Sequence, residues 1–445
     1  MSSVQLWFAQ ALLPTGWAER VRFRFDGMGA PTIQPGVDAE PADEVHAIAV
    51  PGIGNLHSHA FQRAMAGLAE TAGPGGDNFW TWRTAMYRFA GRIGPDALEA
   101  VAAQTYVEML ECGFTRAGEF HYLHRAPDGN RYDDAAEMSG RIAAAAAQTG
   151  IGLTLLPVFY AHSGFGGAAP NGEQRRFVST LAEYETLLAR CGTHLRPLGD
   201  AALGIAPHSL RAVTPEELTA LARLPGPVHI HIAEQTREVD DCLAWSGARP
   251  VRWLLDHLPV DARWCLVHAT HMDRNETGGL AASGAVAGLC PITEANLGDG
   301  LFALPDYLAA HGRIGIGTDS NVRIDLAEEL RLLEYGQRLA RRARNVAAAR
   351  EGASSGATLL HAALAGGVQA LGADMAADLV SLDPHHPSLL HKSGDALIDS
   401  WIFAAGSGAV DCVWRNGTRL VEGGRHKDRT RIAARFRAAI AELIA

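Results

Sequence analysis

The sequence predicts an α/β protein built on a (β/α)8 TIM-like barrel, with a small β-sandwich domain assembled from both chain ends. Three observations carry this. Short apolar runs alternate with longer helical patterns through the middle of the chain, strand-and-turn patterns occur at its two ends, and His, Glu and Asp gather at the C-terminal ends of the apolar runs.

Near the start, Val4-Gln5-Leu6-Trp7-Phe8 and Val21-Arg22-Phe23-Arg24-Phe25 alternate apolar and polar side chains with Gly/Pro turns between them, the texture of short antiparallel strands. The texture returns at Asp378-Leu379-Val380-Ser381-Leu382 and from Val410 to Thr418, where Asn416-Gly417 between apolar runs predicts a hairpin. Residues 1–49 and 376–428 are therefore expected to form the β-domain, with residues 50–375 as the barrel. Residues 429–445 read as a closing amphipathic helix.

Within the barrel, apolar runs occur before His57, near Thr115–Gly118, and at Gly152–Leu156, Leu203–Ala206, Pro227–His231, Trp264–Val267, Ala285–Leu289 and Arg313–Gly317. Helix-like stretches such as Pro95–Leu110 and Thr214–Leu224 separate them; the latter opens with a Thr cap, Pro at the first position and Glu in the first turn. Such alternation fits parallel β-α units in a closed barrel or an open doubly wound sheet. Polar residues at the ends of many different runs favour the barrel.

Composition excludes several classes. A chain of 445 residues, 47% hydrophobic, buries a large core. Its net charge of −10 is not organised into a basic stripe, which argues against nucleic acid. No segment reaches the roughly 20 apolar residues that span a bilayer, and Met1–Gln10 lacks the pattern of an export signal. The six cysteines are scattered without a CxxC pair, which fits a reducing cytoplasm. Lysine occurs only at Lys392 and Lys427, so the barrel offers neither a P-loop lysine nor a carboxylated lysine bridging two metals.

The chemistry begins at His57-Ser58-His59, where the period of two along a strand puts both imidazoles on one face. With His231 and Asp319 they make a nitrogen-oxygen set suited to a divalent metal, which lowers the pKa of bound water towards about 7. Glu234, three residues beyond His231, is placed as general base and proton shuttle. His229 shares the strand face of His231 and is expected one layer deeper, in the core.

The order His-x-His after a Pro-Gly strand, His-x-x-Glu, the lone His268 after an apolar run and a final Gly-Thr-Asp resembles the amidohydrolase superfamily, in its deaminase and aminohydrolase branch. The resemblance spans nearly the whole chain and makes the expected barrel one of amidohydrolase type, holding one divalent metal on His57, His59, His231 and Asp319. Zinc is the first expectation and ferrous iron the alternative. Two-metal members carry a Lys or Glu at the end of the fourth strand; Gly204–Arg211 has neither, leaving Glu119 as the one carboxylate available to a second ion.

Leu56–Gly67, Phe79–Arg83, Glu119–His124 and Ala206–Arg211 are very similar to the formimidoylglutamate deiminases of that branch. This resemblance implies hydrolysis of N-formimidoyl-L-glutamate to N-formyl-L-glutamate and ammonia, a step of histidine degradation. Glu234 would shuttle the proton, His268 would hold the attacking oxygen, and Asp319 would ligate the metal while accepting a proton. Gln62, Arg83, Tyr122, His208 and Arg211 would bind the substrate, with Arg83 and Arg211, both expected in loops after barrel strands, on its two carboxylates. Other readings are a purine, pyrimidine or formimidoylaspartate deaminase, or a silent relative acting as a binding protein. Expected partners are the small dicarboxylate substrate and a second copy in a homodimer, without nucleic acid or membrane.

Overall fold

The structure, a computed structural model, describes residues 4–444 apart from residues 28, 74 and 76. Its first strands are β1 (Val4–Leu13), β2 (Gly16–Phe25), β3 (Thr32–Gln34) and β4 (Glu44–Pro51). There follow β5 (Ile53–Ser58), β6 (Phe114–His121), β7 (Gly152–Phe159), β8 (Ala202–Leu203), β9 (Ala206–Pro207), β10 (Val228–Ile232), β11 (Trp264–His268), β12 (Val286–Leu289) and β13 (Arg313–Ile316).

β5 to β9 pair in parallel, as do β10 to β13. Two seams join these sheets into a ring. Parallel bridges Ile205–Val228 and Ser209–His231 close one, and Ser58–Asp319 closes the other. At the second seam, Thr318 N and Asp319 N both donate to His57 O, while His59 N donates to Asp319 O. Every residue of β5, β6, β7, β10, β11 and β12 is buried, which explains why these strands read as continuous apolar runs rather than alternating ones.

The fourth strand departs from expectation. Leu203–Ala206 reads as one run, but the structure splits it into β8 and β9. The cause lies in the hydrogen bonds: Gly204 N donates to Leu155 O on β7, whereas Ile205 N turns to Pro227 O beside β10. A Cβ on Gly204 would stand 2.5 Å from Leu156 Cδ2 and 2.9 Å from Pro227 O, so only glycine passes this switch.

Helices wrap the barrel. Helix Pro215–Ala222 starts as expected, with the Thr214 hydroxyl accepting from Glu217 N and the Glu217 carboxylate accepting from Thr214 N. Helix Ser355–Leu371 packs so closely on the barrel that a Cβ at Gly366 would lie 1.9 Å from Ile314 O.

The last strands are β14 (Asp378–Leu382), β15 (Val410–Arg415), β16 (Thr418–Glu422) and β17 (Arg425–His426). With the first four they form one eight-stranded sheet in the order β17-β16-β15-β14-β4-β1-β2-β3. The antiparallel β14–β4 pair stitches the two chain ends together. One pair is parallel, β1 with β4, because β2 and β3 intervene. Phe8 and Trp414 are three strands apart in this order, about 14 Å in a flat sheet, yet their ring centroids are 6.0 Å apart. The sheet therefore curls over its own core. Asn416 and Gly417 both take positive φ in the β15–β16 turn, as a two-residue hairpin requires. The closing helix spans Arg429–Ile444; Ala445 lies outside the described residues.

Candidate active site

Three strand ends converge. His57 comes from β5, His59 from the residue after it, His231 from β10 and Asp319 from the turn after β13, and all four are buried. The His57 Nε2 atom lies 3.2 Å from His59 Nε2 and 3.0 Å from His231 Nε2, and Asp319 Oδ1 is 3.1 Å from His59 Nε2 and 3.5 Å from His57 Nε2.

One proton on His57 Nε2 could serve only one of its two imidazole neighbours. His59 Nδ1–H donates to Phe120 O at 2.8 Å, and His231 Nδ1–H donates to His208 O at 3.0 Å, so in the neutral rings both Nε2 atoms carry lone pairs. Burial lowers His57 to about 3 and His231 well below the usual range, which keeps them neutral. Lone pairs turned towards one another repel unless a cation lies between them. Ligands bound tetrahedrally at about 2.0–2.1 Å stand about 3.3–3.4 Å apart, close to the spacings above, and carbonyl partners behind the rings are the usual support of such ligands. The donor set therefore fits a divalent cation of zinc type.

Glu119 is not part of this cluster. Its Oε1 accepts from Ala60 N at 2.8 Å and its Oε2 accepts from Tyr106 OH at 3.2 Å, so both oxygens are engaged. His229 lies below His231 with its Nε2 2.8 Å from Ala370 O, as a core residue.

Glu234 and His268 stand beside the cluster. His268 Nε2 is 3.8 Å from both Glu234 Oε1 and Asp319 Oδ2. Burial pushes the Glu234 carboxyl up to about 7, with the nearby His268 opposing and Asp319 adding to the rise. For His268 burial disfavours the charge, but Glu234, then Glu294 and Asp319, outweigh it and raise the imidazole to about 10. Ala233, His268, Ala269 and Asp319 all adopt positive φ between 45° and 68°. None of them is glycine, so the strand ends that aim these groups are held in a conformation costing on the order of 1–3 kcal/mol each.

A cavity opens over the cluster, and Gln62, Arg83, Tyr122, His208 and Arg211 all line it. Arg83, expected in a loop, lies instead in helix Phe79–Ala90, because Asn78 and Thr81 form a reciprocal cap that starts a helix there. Its guanidinium stacks 4.6 Å over the Trp80 ring, and that of Arg211 lies 5.8 Å from the same ring. Among the described residues neither has a carboxylate within salt-bridge distance, although the charges of Glu238 and Glu234 act on Arg211, and Arg211 Nε is buried without a partner. Two unpaired guanidiniums facing a cavity are a receptor for anions. Gln62 Nε2 donates to Tyr122 OH at 2.7 Å, and among the described residues Gln62 Oε1 has no partner. Burial, followed by Arg211, holds His208 well below the usual range, so it presents a neutral ring.

Sequence reasoning missed the aromatic wall, namely Phe79, Trp82, Tyr87, Tyr160 and Phe177, and it missed Glu294 behind His268. The wall had a signal in the helical spacing of Phe79, Trp82, Arg83, Met86 and Tyr87, a stripe along one helix face. Glu294 had none, since it lies on a helix after β12 rather than at a strand end.

Comparison with known proteins agrees with this geometry. A profile described as "Amidohydrolase family" matches residues 48–420, and one described as "Formimidoylglutamate deiminase HutF, N-terminal domain" matches residues 6–47. A formimidoylglutamate deiminase of Pseudomonas aeruginosa is 51% identical, covering 98% of each chain, and an 8-oxoguanine deaminase of the same species is 29% identical over 94% of this chain and 92% of the relative. Among solved structures, an amidohydrolase from Brucella melitensis matches with TM-score 0.96 and 54% identity over 99% of this chain and 100% of the other. An adenosine deaminase from Xanthomonas campestris with bound zinc shares the fold, at TM-score 0.81 and 22% identity over 99% and 98%. On its ligand order, its barrel and these matches, the chain belongs to the amidohydrolase family.

Proposed function

We propose that this chain hydrolyses N-formimidoyl-L-glutamate to N-formyl-L-glutamate and ammonia, in histidine degradation. The observation that carries the reading is the division of one cavity's lining between a buried histidine-carboxylate centre and two guanidiniums, Arg83 and Arg211, that have no carboxylate within salt-bridge distance among the described residues. The substrate has the same division, with an amidine at one end and two carboxylates at the other. The 51% identity to the Pseudomonas aeruginosa deiminase over nearly the whole chain supports it.

A divalent cation bound by His57, His59, His231 and Asp319 supplies Lewis acidity, which makes water a nucleophile at neutral pH. Glu234 accepts one proton of the attacking water and delivers it to the amidine =NH, and the second, taken from the oxygen by Asp319, completes the ammonia as the C–N bond breaks and the carbon keeps the oxygen as a carbonyl. His268 donates a hydrogen bond to that oxygen, and Asp319, besides its place in the donor set, accepts a proton. His208 orients the formimidoyl group; Gln62 and Tyr122, with Arg83 and Arg211, hold the carboxylates. Preorganised donors aimed at the tetrahedral carbon give differential stabilisation of the transition state.

Zinc is our choice of metal on the three-imidazole, one-carboxylate set. We assign residues 1–49 and 376–428 to the β-domain, 50–375 to the barrel and 429–445 to the closing helix, supported by the single sheet that the two ends share. Among the described residues no helix is long and apolar enough to cross a membrane; we place the enzyme in the cytoplasm because its six cysteines are free and buried, which fits a reducing compartment. A homodimer is our reading of the exposed Ile33 and Val45 in the β-domain.

Ammonia release across formimidoylglutamate, formimidoylaspartate, 8-oxoguanine and adenosine tests the function. Formimidoylglutamate is expected to give the highest kcat/KM. Turnover of a purine with none of formimidoylglutamate would overturn the reading.

A further inference from the structure

We infer that Glu294 is the positioning residue of His268. This rests on the functional reading above, in which His268 addresses the attacking oxygen.

The His268 Nδ1 atom lies 3.2 Å from Glu294 Oε1, and Glu294 Oε1 also accepts from Cys290 N at 2.9 Å. The backbone bond Glu294 N to Cys290 O at 2.9 Å ties the same residue down from the other side. A carboxylate accepts and does not donate, so Glu294 fixes Nδ1–H as the donor to it, a choice that leaves Nε2–H of the protonated ring as the donor to the oxygen. That choice turns Nε2 towards the space between Glu234 Oε1 and Asp319 Oδ2, each 3.8 Å away. Nothing else beside the ring performs this task among the described residues. On its face, His268 stacks on His231 with ring centroids 5.6 Å apart and planes 15° apart, a contact that fixes the ring plane but not which nitrogen faces the cavity. The backbone of His268 is at φ 68°, so the ring hangs from a strained turn that does not by itself determine its rotamer. Glu294 is buried and pairs with no Arg or Lys among the described residues, so its charge has no structural ion pair to explain it. It comes from helix Pro291–Leu297, one strand further round the barrel than His268, so the next β-α unit braces a side chain at the end of β11.

The test is a double-mutant cycle on kcat with metal content measured throughout. Glu294→Ala is expected to lower kcat at least 30-fold with KM within about threefold and metal content unchanged. Glu294→Gln, whose amide oxygen can still accept from both donors, is expected to recover most of that loss. In a His268→Gln background, Glu294→Ala is expected to cost less than about threefold, because its route of action is already gone. A crystal structure of Glu294→Ala is expected to show the His268 ring rotated away from Glu234 and Asp319. An equal loss in both backgrounds, or an unmoved ring with unchanged kcat, would overturn the proposal. Wild-type ammonia release tests the functional reading; the ratios and the ring pose test Glu294.

Discussion

At Glu234 two demands meet in one side chain: it must be ionised to take a proton from water, yet burial raises its carboxyl to about 7. A base with a raised pKa is inactive below it, so kcat/KM is expected to rise with pH through about 7 and then level. A profile flat from about pH 5.5 to 8 would remove Glu234 from this role. Glu234→Gln keeps the shape and loses the proton acceptor; turnover is expected to fall by about 10²–10⁴-fold with metal content retained, read by steady-state kinetics and metal analysis. Arg211 works at the other end. Losing a charge-assisted hydrogen bond costs about 1.5–3 kcal/mol, so Arg211→Ala is expected to raise KM about 10–100-fold with kcat little changed, and an unchanged KM would place the carboxylates elsewhere.

The barrel strands could be read element by element because strands buried on both faces are uninterrupted apolar runs, and each catalytic group sits where a run stops. The β15–β16 hairpin was legible for a different reason, since Asn416-Gly417 has few other uses. The split between β8 and β9 was not, because the change of hydrogen-bond partner at Gly204 and Ile205 depends on Pro227, a residue distant in sequence. The helix that carries Arg83 is signalled in the sequence by little more than Asn78 at its cap. Nor could residue type reveal the left-handed turns at Ala233 and Ala269, since alanine carries no preference for positive φ. Close packing gives an element-scale prediction. Gly366→Ala would drive a Cβ into Ile314 O, and overpacking of this kind costs about 1–3 kcal/mol, so Tm is expected to fall. Gly278, in exposed helix with open space around it, is the control: Gly278→Ala is expected to raise stability by up to about 1 kcal/mol.

Across the whole molecule, the four candidate ligands tie β5, β10 and the turn after β13 together on both sides of a closing seam. A metal bound only by the folded chain stabilises it by mass action, by about 4 kcal/mol at 1,000 times its Kd. Removing it with a chelator is expected to lower Tm by several degrees, and restoring zinc to reverse the change; a Tm indifferent to metal would separate the cluster from metal binding. The candidate ligands were readable from spacing because a metal needs several donors of few types. The substrate end was readable only through resemblance, since single Arg, Gln and Tyr residues carry no pattern of their own, and the aromatic wall that shapes it became visible with the helix that bears it.

The central claim is that one cavity separates an amidine from two carboxylates, and a crystal structure with a non-hydrolysable guanidino analogue of the substrate tests it most directly. The account predicts the guanidino carbon beside Glu234, His268 and Asp319, with the carboxylates on Arg83 and Arg211. An analogue bound in the opposite sense, or with its carboxylates away from both arginines, would contradict it.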